Sequence, residues 1–172
     1  MLTLLVGGVR SGKSTLALRL AGRSNGAVVF VATAERLDAD MDARIDRHRL
    51  ERPDHWTTVE EPLHLAGAVR DTPADATLVV DCLTVWMGNL MHHIEPETTR
   101  SSMLDEFVEA LRGRRAPTVV VTNEVGMGVH PETELGRIYR DELGRLNQRV
   151  AAVADEVLLC VAGRTLRLDP LD

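Results

Sequence analysis

The sequence predicts an α/β fold in which a mostly parallel sheet carries helices on both faces. Three observations lead there. Five short β-rich runs are continuously apolar, the mark of strands covered on both sides. Stretches with helical spacing separate them, and alternation of this kind builds βαβ units. The first run also ends in a glycine-rich turn, "GGVRSGKS" at 7–14, that opens directly onto a helical pattern.

The elements follow in order. "LTLLV" (2–6) is the first strand, and 13–22 is the helix after the glycine turn. "AVVFVA" (27–32) is the second strand, followed by a charged helical pattern at about 40–51 and a shorter one at 62–70. "TLVVD" (77–81) precedes helical patterns at 83–93 and 99–113. Between those two helices "HHIEPETTRS" (92–101) reads as a loop, with His92 and His93 exposed rather than bound to a metal. After "TVVVT" (118–122), the pattern at 132–154 sets Leu135, Ile138, Leu146, Val150 and Val153 on one apolar stripe, with Pro131 suited to a first turn. "EVLLCVA" (156–162) is the fifth run, and "TLRL" (165–168) is a short final strand.

The chain has 172 residues, 44% of them hydrophobic, and no repeats, so residues 1–172 are read as one domain. A net charge of −6 argues against a protein whose main task is gripping nucleic acid. No apolar run approaches the ~20 residues that span a bilayer. "MLTLLVGG" lacks a basic leader and a cleavage site, so it reads as a strand and not a signal peptide. Cys82 and Cys160 lie in apolar runs and fit core thiols of a reducing cytoplasm better than a disulfide or a metal site. Of the 20 basic residues, Lys13 is the only lysine. A compact, flexible ammonium can do what a planar guanidinium cannot.

Lys13 falls inside G-x-x-x-x-G-K-S, between a strand and a helix, the context this phosphate-binding motif requires. The loop comprises Gly7, Gly8, Val9, Arg10, Ser11, Gly12, Lys13 and Ser14. Its backbone N–H groups and the helix N-terminus would surround phosphate oxygens, with Lys13 on the β- and γ-phosphates and Ser14 on Mg²⁺. Asp81, closing "TLVVD", is the candidate second ligand for the metal; its plainer reading is a helix cap. Asn123 and Glu124 end another strand at the same edge, where Glu124 could orient a hydroxyl or merely shape a turn. A regulatory GTPase would need a second lysine for base reading, which this chain lacks.

The remaining pattern is "RIDRHRLERP" (44–53). On a helix Arg44, Arg47, His48 and Glu51 share a face, with Met41 and Ile45 beside them as anchors. Taken alone this is a salt-bridged surface helix. Next to a phosphate site it has a second meaning. Flanking guanidinium groups disfavour the imidazolium form and would hold a polyphosphate, leaving a neutral imidazole for in-line attack on phosphorus. Two rivals stay open at this point: a kinase for another small hydroxyl compound, and a nucleotide-gated binding protein.

"GGVRSGKS", "VATAE", "DMDARIDRHRLERP", "HWTTVEEP", "VVDCLT", "VTNEVGMGVHPETELGRIYRDELGRLNQRVAAVADEV" and "VAG" appear in order along nearly the whole chain. Together they resemble the bifunctional adenosylcobinamide kinase / adenosylcobinamide-phosphate guanylyltransferase family. The resemblance implies a RecA-like P-loop sheet and a homotrimer in the cytoplasm. It implies phosphorylation of adenosylcobinamide by ATP or GTP, then transfer of GMP from GTP through a guanylyl-histidine to adenosylcobinamide phosphate. It places the guanylylated histidine at His48. Nucleotide contacts are implied at 7–14, at Ala32, Thr33 and Ala34, at Arg49, Leu50, Glu51 and Arg52, at Glu60 and at Asp81. The C-terminal "VAGRTLRLDPLD" departs from the usual ending of the family, which puts the last strand in doubt. One loop cannot present both the α- and γ-phosphorus to one nucleophile, so the 40–52 helix or the nucleotide is expected to shift between steps. Trp56 and Trp86 are weak candidates for stacking on the corrin ring and read better as core residues, and His55, His64 and His130 are expected to be structural or exposed.

Overall fold

The computed structural model describes residues 1–36 and 39–171, without the side chains at 39, 40, 41 and 44, so the Met41 anchor and the Arg44 guanidinium lie outside the described residues. Seven strands, β1 (Leu2–Gly7), β2 (Val28–Ala32), β3 (Thr57–Glu60), β4 (Thr77–Asp81), β5 (Thr118–Val121), β6 (Glu156–Val161) and β7 (Arg164–Leu168), form one sheet in the order β3-β2-β4-β5-β1-β6-β7. All neighbours are parallel except β6 and β7, an antiparallel hairpin at one edge. The doubtful last strand is therefore present.

The helices are α1 (Lys13–Ala21), α2 (Ala39–Leu50), α3 (Leu65–Asp71), α4 (Leu83–His93), α5 (Glu97–Gly113) and α6 (Glu134–Ala151). Successive side chains of the central strands point to opposite faces, and the two faces build separate cores. Leu4, Val31, Leu78, Val80 and Val120 meet α3 to α6 around Trp86 and Phe107. Leu5, Phe30, Val79 and Val121 meet α1 and Trp56. Both tryptophans are thus core residues: Trp86 is fully buried, with its indole N–H donating to the Leu63 carbonyl at 2.8 Å. Among the described residues no helix is long and apolar enough to cross a membrane.

Several expectations change. β3 has no counterpart among the predicted strands, because "TTVE" offers one apolar residue in four and lies exposed at the sheet edge beside β2. β6 is half-buried instead of covered on both faces, because its outer neighbour β7 is itself wholly exposed. Of the predicted α6 stripe, Leu146 and Val150 are fully buried, Val153 is half-buried past the end of the helix, and Leu135 and Ile138 are exposed. Pro131 precedes that helix, whose cap is Thr133, its hydroxyl accepting the Gly136 N–H at 3.1 Å. The 92–101 loop shrinks to three residues between α4 and α5. His92 and His93 are at the surface as expected, as are His55, His64 and His130, and both thiols are free.

Candidate active site

Parallel strands place all their C-terminal ends at one edge, where ligands bind in open α/β sheets. Register makes that edge specific. Ala32 on β2 pairs with Glu60 on β3 and with Asp81 on β4. β5 stands between β4 and the loop-bearing β1, with Thr122 N–H donating to the Leu5 carbonyl and Glu124 N–H to the Gly7 carbonyl. Three of the residues implied for the nucleotide therefore form one lateral row beside the glycine loop.

The loop is held from behind. Gly7 pairs with Cys160 on β6, and a Cβ at Gly7 would stand 2.2 Å from the Cys160 carbonyl oxygen. Gly12 (φ 100°) and Arg10 (φ 57°) adopt left-handed conformations that bend the chain into α1. The β6–β7 turn supports it too, since Gly163 N–H donates to the Ser11 carbonyl at 3.0 Å. Gly8, Val9 and Arg10 are exposed, whereas Ser11 and Lys13 are buried. Lys13 Nζ donates to the Gly7 and Gly8 carbonyls at 2.9 and 2.7 Å and to Ser11 Oγ at 3.3 Å. Burial lowers its ammonium below the ordinary lysine value, opposed by Cys82, Cys160 and Asp81.

Asp81 is where these elements meet. Desolvation raises its carboxyl above the ordinary range, while His48, Arg52, a hydrogen bond from Ser14 and Lys13 pull it down. Ser14 and Asp81 are thus close enough to act together. A hydroxyl and a carboxylate are hard oxygen donors that suit Mg²⁺, which takes few protein ligands and fills its shell with water and phosphate oxygens. Among the described residues no group of three or more His, Cys, Asp or Glu could hold a metal ion unaided. The donor set therefore fits a cation that arrives with phosphates.

α2 delivers His48 to this charge cluster. Ile45 is its buried anchor, as expected. His48 is partly exposed, and its Nδ1 lies 3.5 Å from Glu51 Oε2, which favours a proton on Nδ1 and a free Nε2. Arg47 and Arg49 are exposed, and Leu50 is 87% exposed. Arg52 behaves differently. It turns inward, its guanidinium carbon 3.8 Å above the Phe30 ring, with its Nε buried and without a partner among the described residues. Desolvation lowers its pKa, against the attraction of Asp81 and Glu60 and together with repulsion from Arg49.

Polar braces behind the edge have no mark in the sequence. Thr33 Oγ1 donates to the Cys82 carbonyl and accepts the Cys82 N–H, both at 2.9 Å. Thr84 Oγ1 accepts the Asn123 N–H, and the Tyr139 hydroxyl donates to the Thr84 carbonyl. Asn147 accepts from Thr122 Oγ1 and donates to the Asn123 carbonyl. Glu124 accepts the Gly126 N–H at 2.5 Å, the turn-shaping role of its two readings. Glu35 pairs with His93 at 2.9 Å. A surface cleft of about 570 Å³, lined by Arg70, Asp105, Glu109 and Arg149 among others, shares no residue with this site.

A strand, a glycine loop with its lysine, and a carboxylate two strands across the sheet define a P-loop nucleotide-binding α/β protein. Within that class the chain belongs to the cobinamide kinase / cobinamide phosphate guanyltransferase family, which matches residues 3–168. It is 45% identical over 172 residues to the bifunctional adenosylcobalamin biosynthesis protein CobP of Pseudomonas aeruginosa, covering 98% of this chain and 97% of that one. The Escherichia coli K12 protein of the same description, CobU, is 39% identical over 176 residues, covering 95% and 97%. The RadB recombinase structure superposes with a TM-score of 0.50 over 92% of this chain and 73% of that one. At 17% identity that likeness concerns the fold alone, and it bears out the RecA-like sheet.

Proposed function

We propose that this bifunctional kinase and guanylyltransferase runs both transfers on one nucleotide site at the C-terminal edge of its sheet, with His48 carrying GMP. The observation behind this reading is the row of Glu60, Ala32 and Asp81 at the sheet edge beside the glycine loop, where Asp81 feels the charges of His48, Arg52 and Lys13. The glycine loop and Lys13 hold the β- and γ-phosphates of GTP or ATP. Residues 32–34, Glu60 and 49–52 hold the remainder of the nucleotide. Mg²⁺, bound through Ser14 and Asp81, supplies neutralisation of the phosphate oxygens.

In the kinase step the hydroxyl oxygen of adenosylcobinamide attacks the γ-phosphorus. The bond to the β–γ bridging oxygen breaks, and a nucleoside diphosphate and a proton leave. In the transferase step His48 Nε2 attacks the α-phosphorus of GTP, breaking the α–β bridge and releasing pyrophosphate. Glu51, on Nδ1, orients the ring for this attack. An oxygen of adenosylcobinamide phosphate then attacks the same phosphorus. The P–N bond breaks, giving the GDP derivative and free His48. Because the two attacks need different phosphorus atoms, α2 or the nucleotide shifts between them.

The test is incubation with Mg²⁺ and GTP labelled at either the α- or the γ-phosphate, followed by denaturing electrophoresis. Label retained from the α-position only, stable to alkali, lost in acid and absent in His48→Ala, is the expected result. A folded, GTP-binding wild type that retains no α-label would remove His48 from the chemistry. The homotrimer implied by the resemblance has its own observation, the exposed apolar residues Val161 and Leu166 of the edge hairpin. Sedimentation equilibrium checks it, a monomer being the contrary outcome.

A further inference from the structure

Asn89 is a polar residue in the middle of α4, on a helix face whose neighbours Trp86, Met87 and Leu90 belong to the core. It is 7% exposed, and an amide is retained at such a position only when it is hydrogen-bonded. Its Nδ2 donates to the Thr33 carbonyl at 2.8 Å and to the Pro62 carbonyl at 3.1 Å, which uses both of its N–H groups. Those carbonyls lie just past the ends of β2 and β3. One side chain therefore joins two turns that leave the sheet at neighbouring positions.

The same turns carry the residues assigned to the nucleotide. Thr33 is the middle of 32–34, and Pro62 lies two residues after Glu60. Thr33 is tied in turn to both backbone groups of Cys82, the residue after Asp81. The chain of contacts thus runs from Pro62 through Asn89 and Thr33 to the strand end that presents Asp81. The row Glu60, Ala32, Asp81 is set by sheet register up to the last paired residues. Past that row the backbone adds two bonds, Glu61 N–H to the Ala32 carbonyl and Thr33 N–H to the Asp81 carbonyl. The Asn89 amide ties together the residues one position further out.

We propose that Asn89 is a positioning residue for the nucleotide site, holding the 32–34 and 60–62 turns at the separation that GTP requires and, through Thr33, orienting Asp81. This rests on the reading that this edge holds the nucleotide. Asn89 does not touch the reacting atoms. Its loss weakens GTP binding more than it slows the bound reaction, because the donors it removes set the geometry of the turns and not the attack.

The experiment compares full-length Asn89→Leu and Asn89→Ala with wild type, each well below its own melting temperature. GTP affinity with Mg²⁺ is read by calorimetry, and guanylylation by single turnover of α-labelled GTP. Leucine fills the volume without donors, so packing and hydrogen bonding separate. Both variants are expected to raise the Kd and the half-saturating concentration for GTP about tenfold, with the saturated rate changed less. Thr33→Val, which cuts the next link, should move the same quantities in the same direction and serves if the Asn89 variants do not fold. Val69→Ala in the α3 core is the stability control and should leave GTP affinity unchanged. Wild-type affinity in Asn89→Leu, or an equal loss in Val69→Ala, overturns the proposal. A wild type that binds GTP but takes no label refutes the guanylyl-histidine instead and leaves the affinity comparison intact.

Discussion

Arg52 is the side chain on which the nucleotide reading can be tested most sharply. Its guanidinium stacks on Phe30, its Nε has no partner among the described residues, and its charge is felt by Asp81 and Glu60. Arg52→Gln removes a cation–π contact of about 1 kcal/mol and a charge-assisted bond to phosphate of about 2 kcal/mol. Together these amount to about 3 kcal/mol, a fall of roughly 150-fold in the single-turnover kcat/KM for His48 guanylylation. Fold stability should change by no more than about 1 kcal/mol, because desolvation is the leading influence on this group and offsets its contacts. Phe30→Leu isolates the stack and should cost only about fivefold. With Arg52 gone, Asp81 loses a cation that favours its ionised form, so the acid limb of the pH–rate profile moves to higher pH. The assay is α-labelled GTP at varied concentration, with melting curves run in parallel. Guanylylation by Arg52→Gln within threefold of wild type would refute the assignment, and equal losses in both variants would transfer the effect to core packing.

Three other outcomes are expected. Asp81→Asn should abolish Mg²⁺-dependent phosphorylation yet raise the melting temperature at pH 7. Burial raises the folded-state pKa of Asp81, so ionisation costs stability above its unfolded value of about 3.9, and the gain from asparagine should vanish below about pH 4. Gly7→Ala should abolish nucleotide binding in a folded protein, because its Cβ meets the Cys160 carbonyl oxygen at 2.2 Å; calorimetry with GTP checks this. Arg114 donates to the carbonyls of Thr72, Pro73 and Ala76, so Arg114→Ala should cost about 3 kcal/mol and lower the melting temperature by roughly 9 °C. Its guanylylation rate per folded molecule should stay at the wild-type value.

The parts of this molecule that are legible from sequence are those where chemistry and periodicity coincide. The glycine loop needs glycines at fixed positions, and the buried strands need unbroken apolar runs, so both leave marks. β3 leaves almost none: an exposed edge strand is held by backbone pairing to β2, and its side chains are free to be polar. Strand order is equally silent, because nothing in "TVVVT" says that it separates β1 from β4. Asn89 and Asn147 read as ordinary polar interruptions of helices; only the fold aims their amides at strand ends. At α6 the stripe is correct as a helical face but buried only in its second half, since Leu135 and Ile138 are exposed while Leu146 and Val150 are fully buried.

The solitary lysine has a practical consequence. Apart from the chain terminus, the only amine in the molecule is tethered by two carbonyls and a hydroxyl inside the phosphate loop. An amine-selective acylating reagent therefore reads two locations, Lys13 and the exposed terminal amine, with no background from surface lysines. Its rate at Lys13 reports how often the loop releases that side chain, and a bound triphosphate should suppress it. The arginine-rich composition makes the phosphate loop its own chemical handle, available without engineering a label.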